Sequence, residues 1–202
     1  MKKLLFIGRK NKEIVEIAKE KGYSEVFFIK EISSIDEKEY LDFKEYNSCL
    51  LNIENLETLR RAIDKSSHKF ENIFILGLND IINRISLENK KVFGIISPEF
   101  NRKFDYTHYR NSGLNQVLIK VAKEKKKLII EDLSFLKSDL DKKIKAQILG
   151  KIMQNYTLSM QILKKKVKET FILTFIVFSK KEIEKFKDTE EFYDGLLINL
   201  EK

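Results

Sequence analysis

Short, nearly unbroken apolar runs alternate along this chain with longer stretches in which apolar residues return every three or four positions. The runs at 3–8, 25–29, 48–53, 72–76, 92–96, 128–130 and 171–178 read as strands buried on both faces. The intervening periodicity predicts helices over 11–21, 55–65, 79–87, 114–126 and 138–167, a short helix within 33–46, and a closing helix from about residue 181. Gly22 closes the first helix, and Ser112 is an N-cap type with Gly113 just inside the helix start. Along 138–167 one stripe carries Leu140, Ile144, Ile148, Ile152, Tyr156, Met160 and Leu163. Gly150 is a packing point on that helix, and a break is expected between Asn155 and Ser159.

Repeats of this kind imply parallel strands covered by helices on their outer faces. Their number favours an α/β fold built as a small (β/α) TIM-like barrel of about seven parallel strands, one domain over 1–202, rather than an open doubly wound sheet. No linker or low-complexity tract interrupts the series, and the single proline, Pro98, falls at a strand end. In either architecture function gathers at the carboxyl ends of the strands. That rim would hold Asn52, Ser97, Glu99, the 100–112 loop, Glu131, Asp132 and Ser179.

With 43% apolar and 35% charged residues, the composition is that of a folded soluble chain rather than a disordered one. No apolar run approaches the roughly 18 residues a membrane span needs. The apolar run after Met1-Lys2-Lys3 ends at Arg9 and Lys10, too soon for a signal peptide. A lone cysteine, Cys49, leaves no disulfide framework and fits a reduced, cytoplasmic setting. Net charge is +8, and all of it lies in the later half: residues 1–90 hold 16 basic and 16 acidic residues, whereas 91–168 hold 18 and 7. A uniformly lysine-rich composition would not leave the first half neutral, so the imbalance points to a polyanion-binding face.

Several enzyme classes find no support in the residues. Barrel phosphoesterases gather histidines and carboxylates at strand ends to hold two or three metal ions. Here there are only His68, placed in a helix-to-strand connection, and His108. Glu131 with Asp132 reads as solvated rim charge or a helix cap. No glycine-rich phosphate loop and no G-x-S-x-G elbow is present, and Cys49 has no histidine partner. By contrast the loop after the fifth strand interleaves Arg102, Lys103, His108 and Arg110 with Phe100, Phe104, Tyr106 and Tyr109. Cations beside aromatic rings suit RNA, whose phosphates take the charge and whose unpaired bases stack on the rings. Lys125-Lys126-Lys127 falls at the opposite, amino-terminal end of the sheet.

Three blocks carry a family likeness: Ser97-Pro98-Glu99, the run Tyr109 to Leu118 (YRNSGLNQVL), and Ile148 to Asn155 (ILGKIMQN). In this order they resemble the archaeal ribonuclease P protein component 3 family, the thirty-kilodalton-subunit relatives. The resemblance covers about 92–163 well and the rest only in its alternating elements. It implies a PHP-like barrel without the metal centre, and a protein subunit of ribonuclease P that supports the catalytic RNA in removing 5′ leaders from precursor tRNA. The implied partners are the ribonuclease P RNA, precursor tRNA indirectly, and ribonuclease P protein component 2, with no membrane. No cofactor is expected on this chain, and Mg²⁺ is expected for the holoenzyme RNA. The chain itself is not expected to be catalytic. Two family positions differ here, with Gln116 where histidine is usual and Asn111 where aspartate is usual, and Ser179-Lys180-Lys181 replaces a small-residue turn.

On this reading the candidate RNA-binding residues are Arg102, Lys103, Tyr109, Arg110, Ser112, Asn115, Gln116, Lys142, Lys143, Lys151, Lys180 and Lys181, with no catalytic and no metal-ligating residue. Exposed apolar positions within 138–163 would dock the partner protein. Two alternatives stay open: a degenerate PHP-type phosphoesterase with residual hydrolysis through Glu99, Glu131 and Asp132, and a sugar-phosphate enzyme of the same barrel type.

Overall fold

The computed structural model describes residues 4–8, 12–20, 23, 25–41, 43–102, 105, 111–174 and 176–177. Strands β1 (Leu4–Ile7), β2 (Glu25–Ile32), β3 (Ser48–Leu51), β4 (Asn72–Leu76), β5 (Gly94–Ile96) and β6 (Leu128–Asp132) lie side by side in chain order, each neighbouring pair parallel. The seventh expected strand is described in two pieces, because residue 175 lies outside the described residues. β7 (Phe171–Thr174) pairs with β6, and β8 (Ile176–Val177) pairs with β1, so the two edges of the curled sheet meet on one stretch of chain.

Six strands are described without interruption where about seven were expected. The Ile176 N–H donates to Asp132 Oδ1 at 3.1 Å and to Ser134 Oγ at 3.0 Å. Side chains at and just past the end of β6 thus hold the Ile176 N–H.

The helices are α1 (Lys12–Glu20), α2 (Leu56–Ser66), α3 (Asp80–Glu88), α4 (Gln116–Glu124), α5 (Lys142–Leu163) and the single turn α6 (Val167–Thr170). The short helix expected within 33–46 is two 3₁₀ turns, Glu37–Tyr40 and Phe43–Glu45. No break occurs at 155–159. α5 runs through to Leu163 and stops at Lys164, whose φ of 54° cannot continue a helix. Gly22 and the closing helix from about 181 lie outside the described residues.

Within the apolar strand runs, alternate residues serve different layers. Phe27, Ile29, Leu50, Phe74, Ile96, Ile130 and Ile172 fill the inside of the curled sheet. Their neighbours Cys49, Leu51, Ile73 and Ile75 pack outward under α2 and α3, and Ile95, Ile129, Phe171 and Leu173 pack under α4 and α5. This is why the runs are continuous: both faces are covered. By the same period of two, Ile130 and Asp132 point inward, whereas Glu131 points outward beneath α5.

α5 is the outlier in length. Its 22 residues span about 33 Å at 1.5 Å per residue, about twice the ~17 Å of a five-residue strand. Ile152, Tyr156 and Leu163, in its second half, are at most 4% exposed and sit on the sheet. Leu140, just ahead of its cap, and Ile144, in its first turn, are 41% and 44% exposed. The first turns of α5 overhang the carboxyl-end rim.

Candidate functional site

The rim is built where the chain leaves β5. Ser97 turns out of the strand with φ 48°, its N–H still donating to the Ile130 carbonyl at 2.7 Å. Pro98 is then wedged between two glycines. A Cβ on Gly77 would lie 2.4 Å from Pro98 Cα, and one on Gly113 would lie 1.9 Å from the Pro98 carbonyl oxygen. Gly113 also has φ 79°, so a side chain is excluded there twice over.

Two buried asparagines fasten this contact. Asn83 of α3 donates from Nδ2 to the carbonyls of Pro98 at 3.0 Å and Gly113 at 2.9 Å. Asn155 of α5 donates from Nδ2 to the Ser112 carbonyl at 2.9 Å and to Glu131 Oε1 at 3.0 Å. Residues 97–99, 112–113 and 151–155, far apart in sequence, form one polar cluster on the rim.

Three carboxyl groups lie in it. Burial, then the neighbouring Glu99 carboxyl, push the Glu131 carboxyl well above its ordinary value. Burial likewise raises Glu99, although its hydrogen bond with Glu131 works the other way. Oε2 of each finds no hydrogen-bond partner among the described groups, and a hydrogen bond between the two carboxyls requires a proton shared by the pair. Burial also raises Asp132, against the hydrogen bonds from Ser134 and Ile176. Asp132 Oδ1 accepts from the Ser134 N–H at 2.9 Å and its hydroxyl at 2.6 Å, while the N-cap position of the 3₁₀ turn Ser134–Lys137 is Leu133. Glu131 is fully buried and not solvated rim charge, and Asp132 is not the cap residue of that turn. No group of three metal-ligating side chains is found among the described residues.

The cations divide into three sets. Arg102 and Lys151 are interior: the Arg102 side chain is 6% exposed and binds Asp80 at 2.6 Å, and Lys151 donates to the Arg102 carbonyl and lies 3.5 Å from Asp105. They hold Arg102 to α3 and Arg102 and Asp105 to α5. Lys142 and Lys143 are exposed on the first turn of α5, which is capped by Asp141 and has no acidic residue of its own. Lys123 and Lys125 to Lys127 close α4 and enter β6 at the opposite end of the sheet, where Lys125 and Lys127 donate to the carbonyls of Glu88, Lys90 and Val92. Lys164 to Lys166, ahead of β7, lie at that end too. The positive excess of the later half is thus shared between both ends of the sheet.

The helix cap also differs from expectation. Gly113 keeps the chain out of helical geometry, and Asn115 caps α4 with its side chain accepting the Leu118 N–H at 3.0 Å. Ser112 is buried, 2% exposed, and contributes its carbonyl to Asn155. Asn115 and Gln116 are exposed beside it. Lys103, Tyr109, Arg110, Lys180 and Lys181 lie outside the described residues. Sequence reasoning passed over Asn83 and Asn155 as site residues. The signal for Asn155 was present: Lys151, Asn155 and Ser159 recur every four residues beside the apolar stripe of α5 and are buried with it.

Two cavities open at this rim and share Ser97, Phe100 and Asp132. One, of about 410 Å³, lies under the overhang of α5; the other, of about 280 Å³, lies at the mouth of the sheet beside Glu31 and Asn52. Cys49 is in neither: burial pushes its thiol up to about 12, which leaves it unreactive at neutral pH. His68 follows α2 at the amino-terminal end, far from the rim.

No family model matches the chain, and no curated protein matches it. A solved structure is similar in fold: a chain in the "cryo-EM structure of archaeal Ribonuclease P with mature tRNA" superposes with a TM-score of 0.64 at 21% sequence identity, over 88% of this chain and 75% of that one. No helix among the described residues is long and apolar enough to cross a membrane.

Proposed function

We propose that this chain is a protein subunit of ribonuclease P, of the component 3 type with a PHP-like barrel, and that it supports the catalytic RNA in removing 5′ leaders from precursor tRNA. The observation that carries the reading is the fold shared with a chain of a solved archaeal ribonuclease P. The convergence of 97–99, 112–113 and 151–155 agrees with it, because the blocks that resemble the family build one rim. The partners on this reading are the ribonuclease P RNA, protein component 2 and, indirectly, precursor tRNA, with Mg²⁺ serving the RNA and the complex residing in the cytoplasm.

RNA meets the rim at its exposed cations. Lys142 and Lys143 sit at the positive end of the α5 dipole, a placement that costs helix stability of about 0.3–1 kcal/mol each and is favourable toward an anion. Asn115 and Gln116 are exposed at the start of α4; Lys103, Tyr109, Arg110, Lys180 and Lys181, outside the described residues, belong to the same proposed RNA-binding set. Arg102, Ser112 and Lys151 support it from below. Phosphate contacts of this kind supply affinity and register, not sequence choice. The carboxyls do not suit hydrolysis by the chain itself: Glu99 and Glu131 are tied to each other and to Asn155.

Reconstitution tests the reading. Adding this chain to ribonuclease P RNA and protein component 2 at low Mg²⁺ is expected to raise the rate of leader removal, and the chain alone with precursor tRNA and Mg²⁺ is expected to cleave nothing. Equal rates with and without the chain, or cleavage by the chain alone, would overturn it.

A further inference from the structure

The run of basic and aromatic residues after β5 is tied where it starts and where it ends, and the ties meet on one acidic side chain. Between residues 100 and 123 the only acidic residue is Asp105, set among Arg102, Lys103, Arg110, Lys120 and Lys123. Where the run ends, the Asn111 N–H donates to Asp105 Oδ1 at 3.0 Å. The same oxygen lies 3.5 Å from Nζ of Lys151, whose side chain is 9% exposed. Lys151 also donates to the carbonyl of Arg102, where the run starts. Arg102 Nη1 reaches Asp80 Oδ1 at 2.6 Å and Asn111 Oδ1 at 3.4 Å. Arg102, Asp105 and Asn111 are thereby linked to one another and to α3 and α5.

We propose that Asp105 is a positioning residue for RNA binding, which closes the chain over 105–111 before RNA arrives; the proposal rests on the RNA-binding reading above. A carboxylate in the same run as Lys103 and Arg110 repels phosphate, so on charge alone it weakens a site for a polyanion. Its bond to Asn111 acts in the opposite direction. Ordering a loop on association subtracts from affinity, and a loop already closed in the free chain escapes most of that loss. A carboxylate suits the task because its hydrogen bond from a backbone N–H is about twice as strong as a neutral one. The Asp105 side chain is 48% exposed, so it serves the loop rather than the core.

The test compares the full chain with Asp105→Ala and Asp105→Asn for affinity toward ribonuclease P RNA. Both variants remove the negative charge, but only the asparagine keeps an oxygen that accepts the Asn111 N–H. Asp105→Ala is expected to weaken binding by roughly 3- to 10-fold, the net effect of one hydrogen bond. The slope of log affinity against log salt should not fall, because no phosphate contact is removed. Asp105→Asn is expected to bind at least as tightly as wild type. In the free chain, amide exchange at Asn111 should be slow in wild type and Asp105→Asn and fast in Asp105→Ala. If wild type binds RNA but Asp105→Ala binds it equally or more tightly, Asp105 acts only as a repelling charge, and the proposal falls while the RNA-binding reading stands. Equal losses in the two variants, a smaller salt slope in Asp105→Ala, or unchanged exchange at Asn111 would also overturn it. If wild type binds no RNA, both fall.

Discussion

Asn155, in the middle of α5, donates to the Glu131 carboxyl at the end of β6 at 3.0 Å, and the same amide group holds the Ser112 carbonyl at 2.9 Å. One side chain therefore ties a helix, a strand and the loop that leads into α4. Replacing it by alanine strands a buried carbonyl and a buried carboxyl together. Asn155→Ala is expected to lower stability by about 1–3 kcal/mol, read as a lower urea midpoint at unchanged slope. An unchanged midpoint would mean that the cluster does not hold the rim.

The Glu99–Glu131 pair makes stability depend on pH in a definite direction. Both carboxyls are raised by burial above the ordinary value of 4.5, so the folded chain binds protons that the unfolded chain releases. Their contribution is complete below about 4.5 and is lost as pH rises through the folded-state values. In Glu131→Gln the amide oxygen accepts from Asn155 and the amide N–H donates to Glu99 at every pH. The melting temperature of the variant should therefore move upward relative to wild type between pH 4.5 and pH 8, at about 2–4 °C per kcal/mol for a chain of this size. A difference between the two that stays constant across the range would contradict the shared proton.

Gly113 offers a backbone test of the same rim. With φ 79° and a Cβ position 1.9 Å from the Pro98 carbonyl, any side chain must displace backbone rather than a flexible neighbour. Gly113→Ala should cost more than ~1 kcal/mol and should separate the 97–99 turn from 112–113. Thermal melting checks the cost, and amide exchange at Ser97 and Phe100 checks the separation. Wild-type values for both would show that the contact is not needed.

Element order and strand direction were legible because β1 to β6 are apolar on both faces and separated by turns and amphipathic helices; Cys49-Leu50-Leu51 and Ile73-Phe74-Ile75 needed no tertiary information. What escaped local reading depends on contacts far along the chain. Ser112 is a good cap type, yet the close approach of Pro98 to Gly113 moves the helix start to Asn115. Arg102 and Lys151 carry the charge expected of RNA contacts, but Asp80 and Asp105 draw them inward. Charge in sequence does not report burial.

The central claim is that RNA lies across the carboxyl-end rim, and the most direct measurement is RNA affinity as a function of salt for charge variants at the two ends of the sheet. Lys142→Ala with Lys143→Ala removes exposed rim cations; Lys123→Ala with Lys165→Ala removes exposed cations at the opposite end. The rim pair should weaken binding and reduce the slope of log affinity against log salt by about 0.7–0.9 per lost contact, and the opposite pair should leave both unchanged. Equal losses from the two pairs, or a loss from the opposite pair alone, would contradict the account.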